Sequence, residues 1–186
     1  MAWAPDYITT DELKAFVKIS DELDDAELAL IPPAVSRAID QHCGRQFGLA
    51  TAAAERWYRP RWSYFADRFV VDVDDLMDLT GLPAGMVPEP RNAAADGRPY
   101  TRLAYAVGAV PDDLEVPFTL RWGWTEVPAA VKVAARLQGS RLVTRRDSPY
   151  GIAGSPDSGT EMRLLARLDP DVSVMLAPYV RMAGPA

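Results

Sequence analysis

Four aspartates within seven residues form a group of side chains that could do chemistry. They are Asp72, Asp74, Asp75 and Asp78. Carboxylate oxygens suit Ca²⁺, but a calcium loop beginning at Asp72 would place Leu76 at a ligand position and Met77 where the turn glycine belongs. The spacing therefore predicts a solvated strand end in place of a metal site.

Nucleophilic or acid-base catalysis would have to use His42, the single histidine, which stands next to Cys43, the single cysteine. Neighbouring residues on a helix point about 100° apart, so the two are poorly placed to share a proton. His42 falls on an apolar stripe, which predicts a packed histidine with one hydrogen-bond partner. Gly151, Gly154 and Gly159 lack the lysine-serine pair of a phosphate loop. We therefore predict no enzyme, no metal and no cofactor.

Aromatic and arginine side chains leave nucleic-acid binding open as an alternative. The aromatic set comprises Trp57, Tyr58, Trp62, Tyr64, Tyr100, Tyr105, Trp122 and Trp124, and the arginine set Arg136, Arg141, Arg145 and Arg146. Aromatic side chains stack on bases, but in a small β region they more often form a core or a subunit interface. A formal charge of −6 argues against binding driven by phosphate neutralisation.

The length and composition predict one domain, with two tight subdomains allowed. The chain has 186 residues, of which 48% are hydrophobic, enough to bury one good core. No run of 18 apolar residues occurs, and no basic segment precedes an apolar run at the amino terminus. We therefore expect neither membrane insertion nor export.

Helix start signals stand near the amino terminus. Thr9 with Glu12 forms a capping box that predicts a helix over about 10–19, and Asp24 with Glu27 opens a second, longer helix. Its predicted apolar stripe comprises Leu28, Ile31, Val35, Ala38, Ile39 and His42, and Gly44 is its predicted carboxy-terminal cap. Pro32 and Pro33 interrupt this pattern, which predicts a kink or a restart.

Residues 55–124 change to a period of two. The clearest strand places Leu114, Val116, Phe118, Leu120 and Trp122 on one side. Pro117 cannot donate to a ladder, so it favours an edge or a bulge. Weaker strand candidates lie at 56–59, 69–73 and 100–105. The region is predicted to be a small antiparallel β insertion.

The segment Trp122-Gly123-Trp124 runs within four residues into Pro128 and a helical pattern. Proline is tolerated in the first turn of a helix because its missing N–H would have no partner there. The segment predicts a rigid sheet-helix junction without a catalytic group.

These elements predict a mainly α protein with a β insertion (α+β). The predicted architecture is a small helical bundle with an antiparallel β-rich insertion between its second and third main helices, and an extended carboxy-terminal arm. Within one domain, 1–186, the boundaries are 7–47 for the amino-terminal helices, 55–124 for the insertion, 127–147 for the next helix, 148–160 for a loop and 161–186 for the last segment.

Three ordered segments carry a resemblance to a known family. They are TTDELKAFV at 9–17, AVSRAIDQHCGRQF at 34–47, and the Trp122 junction with the alanine- and valine-rich helix that ends at Arg145, Arg146 and Asp147. In this order they resemble the head-to-tail connector (adaptor, or head completion) proteins of long-tailed double-stranded DNA bacteriophages. LDPDV at 168–172 with LAPY at 176–179 is similar to that family's carboxy-terminal docking segment.

The resemblance implies a structural, non-enzymatic subunit of the virion neck, assembled in the host cytoplasm without a membrane. Such subunits form a ring, usually twelve-fold, that binds the portal protein, extends the DNA channel and receives the next neck or tail-completion protein. Phage DNA would pass through without specific binding. The alternative is a DNA-packaging accessory or nucleic-acid-binding protein, with affinity from the carboxy-terminal arginines.

Two further hypotheses assign residues to these implied roles. A weakly repulsive lining lets a polyanion slide, so Asp72, Asp74, Asp75 and Asp78 are candidate channel-lining residues. The apolar carboxy-terminal segment is the candidate portal-docking arm, with Val174, Leu176, Tyr179 and Val180 as its contact residues.

Overall fold

A computed structural model describes residues 4–147, 152–153, 162–163 and 168–181. The chain divides into two compact units. The β unit comprises Phe47–Glu126, and the helical unit combines Ala4–Gln46 with Val127–Ala186. Segments on both sides of the β unit in the sequence therefore contribute to the helical unit.

The chain is a small α+β protein, about 34% helical and 20% strand, and a helical bundle does not dominate it. The predicted bundle that merely carries a β insertion is therefore wrong. The reason is that the strands bury a core of their own, which includes Val71, Leu103, Phe118 and Trp122. A region with its own core is a folding unit in its own right.

The helical unit contains five α-helices and one short strand pair among the described residues. The helices are α1 Thr10–Val17, α2 Asp25–Leu28, α3 Ile31–Cys43, α4 Ala129–Asp147 and α5 Pro170–Leu176, followed by a 3-10 turn at Ala177–Tyr179. Strands β7 (Ile152–Ala153) and β8 (Met162–Arg163) pair in an antiparallel way. β7 lies inside the predicted loop 148–160, whose other residues are outside the described part. No helix among the described residues combines the length and apolar character that a membrane crossing needs.

The predicted helix caps are correct in one case and wrong in another. The Thr9 hydroxyl accepts a hydrogen bond from the Glu12 N–H at 3.1 Å, and the Glu12 carboxylate accepts one from the Thr9 N–H at 2.9 Å, which confirms the capping box. Asp24 precedes α2 but makes no side-chain cap. Its carboxylate instead accepts a hydrogen bond from Arg146 at 2.9 Å, so a distant cation outcompetes the local cap.

The two prolines restart the helix, as one of the two predicted outcomes required. α2 ends at Leu28, and α3 begins at Ile31 with both prolines in its first turn, where no backbone donor is lost. Gly44 ends α3 with φ 62°, which confirms its predicted role as the cap.

The buried stripe of α3 differs from the predicted one in its last turn. The buried residues are Pro32, Val35, Ser36, Ile39 and Cys43, whereas Ala38 and His42 are exposed. A helix turns 100° per residue, so a stripe through Val35 and Ile39 continues at Cys43 and leaves His42 at its solvent edge. The prediction of a packed histidine is wrong.

The β unit holds two antiparallel sheets among the described residues. The strands are β1 Ala54–Tyr58, β2 Arg61–Ser63, β3 Arg68–Leu76, β4 Val87–Glu89, β5 Tyr100–Ala104 and β6 Val116–Leu120. One sheet pairs β1 with β6, and the other has the order β2-β3-β5-β4, with a register shift in β3 between Asp72 and Leu76. The predicted antiparallel pairing is confirmed.

The β6 prediction is correct in its centre and too long at its start. Phe118, Leu120 and Trp122 are buried, and Pro117 lies in a strand with a single neighbour, which confirms its edge position. Leu114 is 88% exposed, because the strand begins two residues after it. The alternating pattern of apolar residues therefore extends beyond the strand into the loop that precedes it.

The C-terminal segment is not the predicted extended arm. Asp169 caps α5 by accepting a hydrogen bond from the Asp171 N–H at 2.9 Å, and α5 packs against α4. Arg141 of α4 pairs with Asp169 at 2.7 Å, and Val172 and Leu176 are fully buried. This segment is part of the helical core.

Close packing of α1 on α4 depends on Gly139. A Cβ atom added there would lie 2.9 Å from Leu13 Cδ1, and Leu13 is fully buried, so its side chain has little room to move. We expect Gly139→Ala to be nearly neutral, because a gain in helix propensity of about 1 kcal/mol offsets the steric strain. Gly139→Leu should destabilise the helical unit by about 1–3 kcal/mol or more in urea unfolding.

A double-mutant cycle checks the cause of this effect. Leu13→Ala removes the methyl group that a larger side chain at position 139 would meet. Gly139→Leu should therefore cost much less in the Leu13→Ala background. An equal cost in both backgrounds would show that the contact between α1 and α4 is not the reason.

Candidate functional site

The junction segment Trp122-Gly123-Trp124 is held from both sides by backbone hydrogen bonds. The Ala50 N–H donates to the Trp122 carbonyl at 2.9 Å, and the Trp124 N–H donates to the Gly48 carbonyl at 3.0 Å. From the other side, the Gly123 N–H donates to the Asp75 carbonyl at 2.7 Å. Gly123 has φ 110°, a conformation that side chains disfavour, which explains the glycine between two tryptophans.

The Trp122 side chain fills the centre of the β-unit core. It is 1% exposed, and its Nε1 donates to the Ala54 carbonyl at 2.8 Å. The Tyr58 ring lies 5.5 Å from it, and the Arg56 guanidinium lies 5.1 Å from its ring centroid. One indole therefore joins β1 to the end of β6 through packing, a hydrogen bond and a cation-π contact.

Trp124 is buried beside a buried carboxylate. Its Nε1 donates to Asp75 Oδ2 at 2.9 Å, and its ring packs on Phe47 at 5.3 Å. Asp75 is 5% exposed, so this candidate channel-lining residue faces the interior of the β unit. Burial of Asp75 had no signal in the sequence, where it is one acid in an acidic run.

Pro128, the fourth predicted junction residue, immediately precedes α4, which begins at Ala129. Its carbonyl accepts hydrogen bonds from the N–H groups of Val131 at 3.0 Å and Lys132 at 3.2 Å. Proline at this position fixes the backbone without the loss of a donor. The predicted junction residues therefore have structural contacts that define the end of a sheet and the start of a helix.

Asp72 lies in a ladder of charges across the four-stranded sheet. Its carboxylate accepts from Arg61 at 2.8 Å and Arg102 at 3.0 Å, and Arg102 lies 3.9 Å from Glu89. Burial raises the pKa of Asp72, but the hydrogen bonds from the two arginines outweigh burial and hold its pKa below the ordinary value. The ladder ties β2, β3, β5 and β4 together.

Asp74 and Asp78 also have cationic partners. Asp74 accepts from Arg56 at 2.5 Å and from the Tyr58 hydroxyl at 2.9 Å. Burial, followed by the charge of Asp74, raises the pKa of Tyr58. Hydrogen bonds from the Thr80 side chain and from the Thr80 N–H, the latter at 3.0 Å, lower the pKa of Asp78, and Arg121 lies 3.4 Å away. Arginines therefore compensate the charges of Asp72, Asp74 and Asp78, and the run is not a free anionic patch.

Acid should weaken the ladder at Asp72. Its pKa is lower in the folded chain, so its stabilising contribution is complete above the ordinary value near 3.8 and is lost as pH falls through the lower folded pKa. The side chain is 49% exposed, so we expect less than about 1 kcal/mol. Urea unfolding at pH 6 and pH 3 should differ less for Asp72→Asn than for the unaltered chain. An identical difference in both proteins would contradict this assignment.

The α4 arginines have acidic partners within the helical unit. Arg136 pairs with Glu12 at 3.0 Å, Arg141 with Asp169 at 2.7 Å, and Arg146 with Asp24 at 2.9 Å. Arg145 is exposed. Three of the four arginines proposed for phosphate contacts therefore fasten α4 to other parts of the same unit.

His42 and Cys43 do not form a catalytic pair. His42 is exposed at the end of α3, whereas Cys43 is fully buried. Burial raises the pKa of the Cys43 thiol to about 11, so the reactive thiolate is scarce at neutral pH. No group of three or more histidine, cysteine, aspartate or glutamate side chains that could hold a metal ion occurs among the described residues.

The four candidate docking residues have different environments. Leu176 is fully buried, Tyr179 is half-buried, and Val174 and Val180 are 74% and 38% exposed. While α5 stays packed on α4, Leu176 is out of reach of a partner, and Val174 and Val180 are the exposed side chains. The structure thus narrows the accessible part of this segment to Val174 and Val180.

A polar cluster on α3 was not found by sequence reasoning. The Tyr7 hydroxyl donates to Asp40, the Tyr7 N–H donates to Ser36 Oγ at 2.9 Å, and Arg37 donates to the Pro5 carbonyl at 2.6 Å. Burial raises the pKa of Asp40, against the hydrogen bond from Tyr7 and the charge of Arg37. Ser36 and Asp40 are one helical turn apart, which is the only sequence signal for this anchor of the amino-terminal segment.

The aromatic set divides into a core group and an exposed group. Trp122 and Trp124 are buried, and Tyr58, Tyr100 and Tyr105 pack against the core, as the core interpretation predicted. The exposed group comprises Trp57, Trp62 and Tyr64, and Phe65 beside them is exposed as well. Exposed aromatic residues on this unit are therefore available to a partner.

Comparison with family models and with curated proteins identifies no relative. No protein-family model matches the chain, and no curated protein matches it. The connector assignment consequently depends on the resemblance of the three ordered segments, and we treat it as a proposal.

Proposed function

We propose that this chain is a structural subunit of a bacteriophage neck, a head-to-tail connector in the virion. In this role it forms a homo-oligomeric ring on the portal protein, extends the DNA channel and provides the attachment surface for the next neck or tail-completion protein. No catalytic step and no cofactor form part of the proposal.

The observation that carries the proposal is the position of the resembling segments in the fold. The segments at 9–17 and 34–47 give α1 and α3, and the helix after Pro128 gives α4. α1, α3 and α4 contact one another in one unit, and the segment at 168–179 packs onto α4. Sequence regions more than 80 residues apart therefore combine, which supports a shared architecture over four unrelated motif matches.

The charge pattern disfavours the alternative of a nucleic-acid-binding protein. Phosphate binding requires cations that are free to replace counterions. Arg136, Arg141 and Arg146 are already paired with carboxylates at 3.0 Å or less. DNA would have to compete with these internal partners.

Electron microscopy of the purified chain, alone and mixed with portal rings from the same genome, tests the proposal. We expect an added ring on one face of the portal, with the symmetry of the portal. DNA affinity should be weak, and a fluorescence anisotropy titration at 50 mM and 200 mM salt should show no steep salt dependence. Absence of the added ring, combined with tight salt-sensitive DNA binding, would favour the alternative.

Portal docking can be tested on the exposed residues of the last segment. Val174→Asp with Val180→Asp should weaken portal binding at least tenfold if this surface docks, because two charges would enter an apolar contact. Both side chains are at least partly exposed, so the fold should be retained. Unchanged binding would assign docking to another surface.

A further inference from the structure

The turn between β2 and β3 presents aromatic side chains to solvent. Tyr64 is 91% exposed and Phe65 is 103% exposed, at residues 64–67 between the two strands. Trp62 is also exposed, and its ring packs edge-on against Phe69 at 5.1 Å. A two-strand turn needs small polar residues and gains nothing from adjacent aromatic rings, so folding of the β unit does not explain them. We call residues 59–68 the aromatic hairpin.

A second exposed apolar surface lies on the connection between β5 and β6. Val107, Val110 and Leu114 are 74%, 70% and 88% exposed. They occur within residues 105–115, which we call the acidic loop because it contains Asp112, Asp113 and Glu115 and no basic residue. Most exposed apolar residues occur singly, whereas these lie within eight positions of one another.

The two surfaces have opposite charge. The aromatic hairpin contains Arg59, Arg61 and Arg68 against a single acid, Asp67, and the acidic loop contains three acids. Arg59 binds Glu115 of the same chain at 2.8 Å and remains 82% exposed, so hairpin and loop already show this chemistry within one copy. Within the described residues, no ion pair involves Arg68, Asp112 or Asp113. The exposed carboxylates of Asp112 and Asp113 are available to a partner, whereas the half-buried Arg68 already donates from Nε to the Ala66 carbonyl at 3.2 Å.

We propose that the aromatic hairpin of one copy docks on the acidic loop of a second copy of this chain. When only the hairpin of one copy and the loop of the next meet, the contact is heterologous, and it closes into a ring when the rotation is right. The Tyr105 N–H donates to the Phe69 carbonyl at 2.9 Å, so the loop leaves the sheet at the same end as the hairpin turn. The choice of a second copy rests on the proposed connector function.

Sedimentation velocity over a range of protein concentrations tests the self-association. Tyr64→Ser with Phe65→Ser should weaken it at least about tenfold, as should Val110→Ser with Leu114→Ser, because each pair removes two apolar contact residues. Leu23→Ser, at a 90% exposed position of the helical unit, is the matched control and should have no effect. A chain that stays monomeric at every concentration would overturn the proposal, as would a control variant with an equal effect.

Cysteine pairing distinguishes the two modes of contact. The native thiol, Cys43, is buried, so new cysteines at positions 65 and 114 should react without interference from it. Under mild oxidation, a mixture of the Phe65→Cys and Leu114→Cys proteins should give a disulfide-linked dimer, whereas each protein alone should not. Efficient linkage of Phe65→Cys to itself would indicate a symmetric hairpin contact and overturn the proposal.

The portal experiment separates this inference from the proposed function. If the Tyr64→Ser, Phe65→Ser variant still forms a complete ring on the portal, the hairpin contact is refuted and the connector function stands. If the unaltered chain self-associates through the hairpin and does not bind portal, the contact stands and the connector function fails. Binding of the hairpin to DNA or to lipid vesicles without self-association would also overturn the contact.

Discussion

Replacement of Trp122 by alanine should destabilise the β unit by about 3–5 kcal/mol, the range for loss of a large buried aromatic side chain. The side chain is 1% exposed, and it contacts the Tyr58 ring and the Arg56 guanidinium, both of β1. Its loss would leave a cavity and also deprive the Ala54 carbonyl of its 2.8 Å hydrogen bond. Because folded domains are stable by only about 5–15 kcal/mol, this change removes much of the total.

The measurement is urea unfolding followed by circular dichroism, with hydrogen exchange to assign the loss to the β unit. Trp57→Ala is the matched control, since Trp57 is 58% exposed and should cost less than about 1 kcal/mol. Trp122→Phe should fall between the two, because it keeps an aromatic ring and loses the hydrogen bond. Equal destabilisation by Trp57→Ala and Trp122→Ala would refute the central role of Trp122.

Removal of residues 169–186 should destabilise the helical unit by about 4–7 kcal/mol, from the loss of one buried leucine and one buried valine. Val172 and Leu176 are fully buried, and the truncation also breaks the ion pair between Arg141 and Asp169. A truncated chain would therefore fail to bind portal for lack of a fold, whether or not the segment docks. Deletion is the wrong test of docking, and surface substitutions are the right one.

Thiol labelling of Cys43 measures this effect directly. The thiol is buried in the helical unit and has a pKa near 11, so a thiol reagent should react slowly with the full chain at pH 7.5 and rapidly with the truncated one. Val174→Ser in the full chain is the control, because this side chain is exposed and should leave the rate unchanged. Equally slow labelling of the truncated chain would show that α5 is dispensable for the helical core.

Local signals gave the parts of the fold that depend on near neighbours. The Thr9 capping box, the Gly44 cap, the proline restart and the Pro117 edge position each follow from contacts or dihedrals within about four residues. β2 and β4 were missed because three-residue strands are too short to show a period. The bundle prediction was wrong because it treated residues 55–124 as an insertion in a mainly helical fold, whereas the strands bury a core comparable to that of the helices.

The contacts of the candidate site could not be predicted from local sequence, because their partners are distant in sequence. Asp75 looks like its acidic neighbours in the sequence, yet it is buried and binds the Trp124 indole, 49 positions away. Asp24 was assigned to a local cap, although Arg146 lies 122 positions away in sequence and binds it. Side-chain chemistry states what a residue can bind, and the tertiary fold decides which partner it meets.

The hydrogen bond between the Trp124 N–H and the Gly48 carbonyl brings the two ends of the β unit together. The chain enters the β unit at Phe47 and leaves it at Glu126, and this 3.0 Å bond holds the two crossing points side by side. A unit with adjacent ends and its own core can be inserted into another protein chain, or removed from it, without moving the residues on either side of the insertion point apart. The described part of the β unit is thus one continuous segment of the sequence, Phe47–Glu126. The helical unit, by contrast, can be completed only after the last helix has left the ribosome.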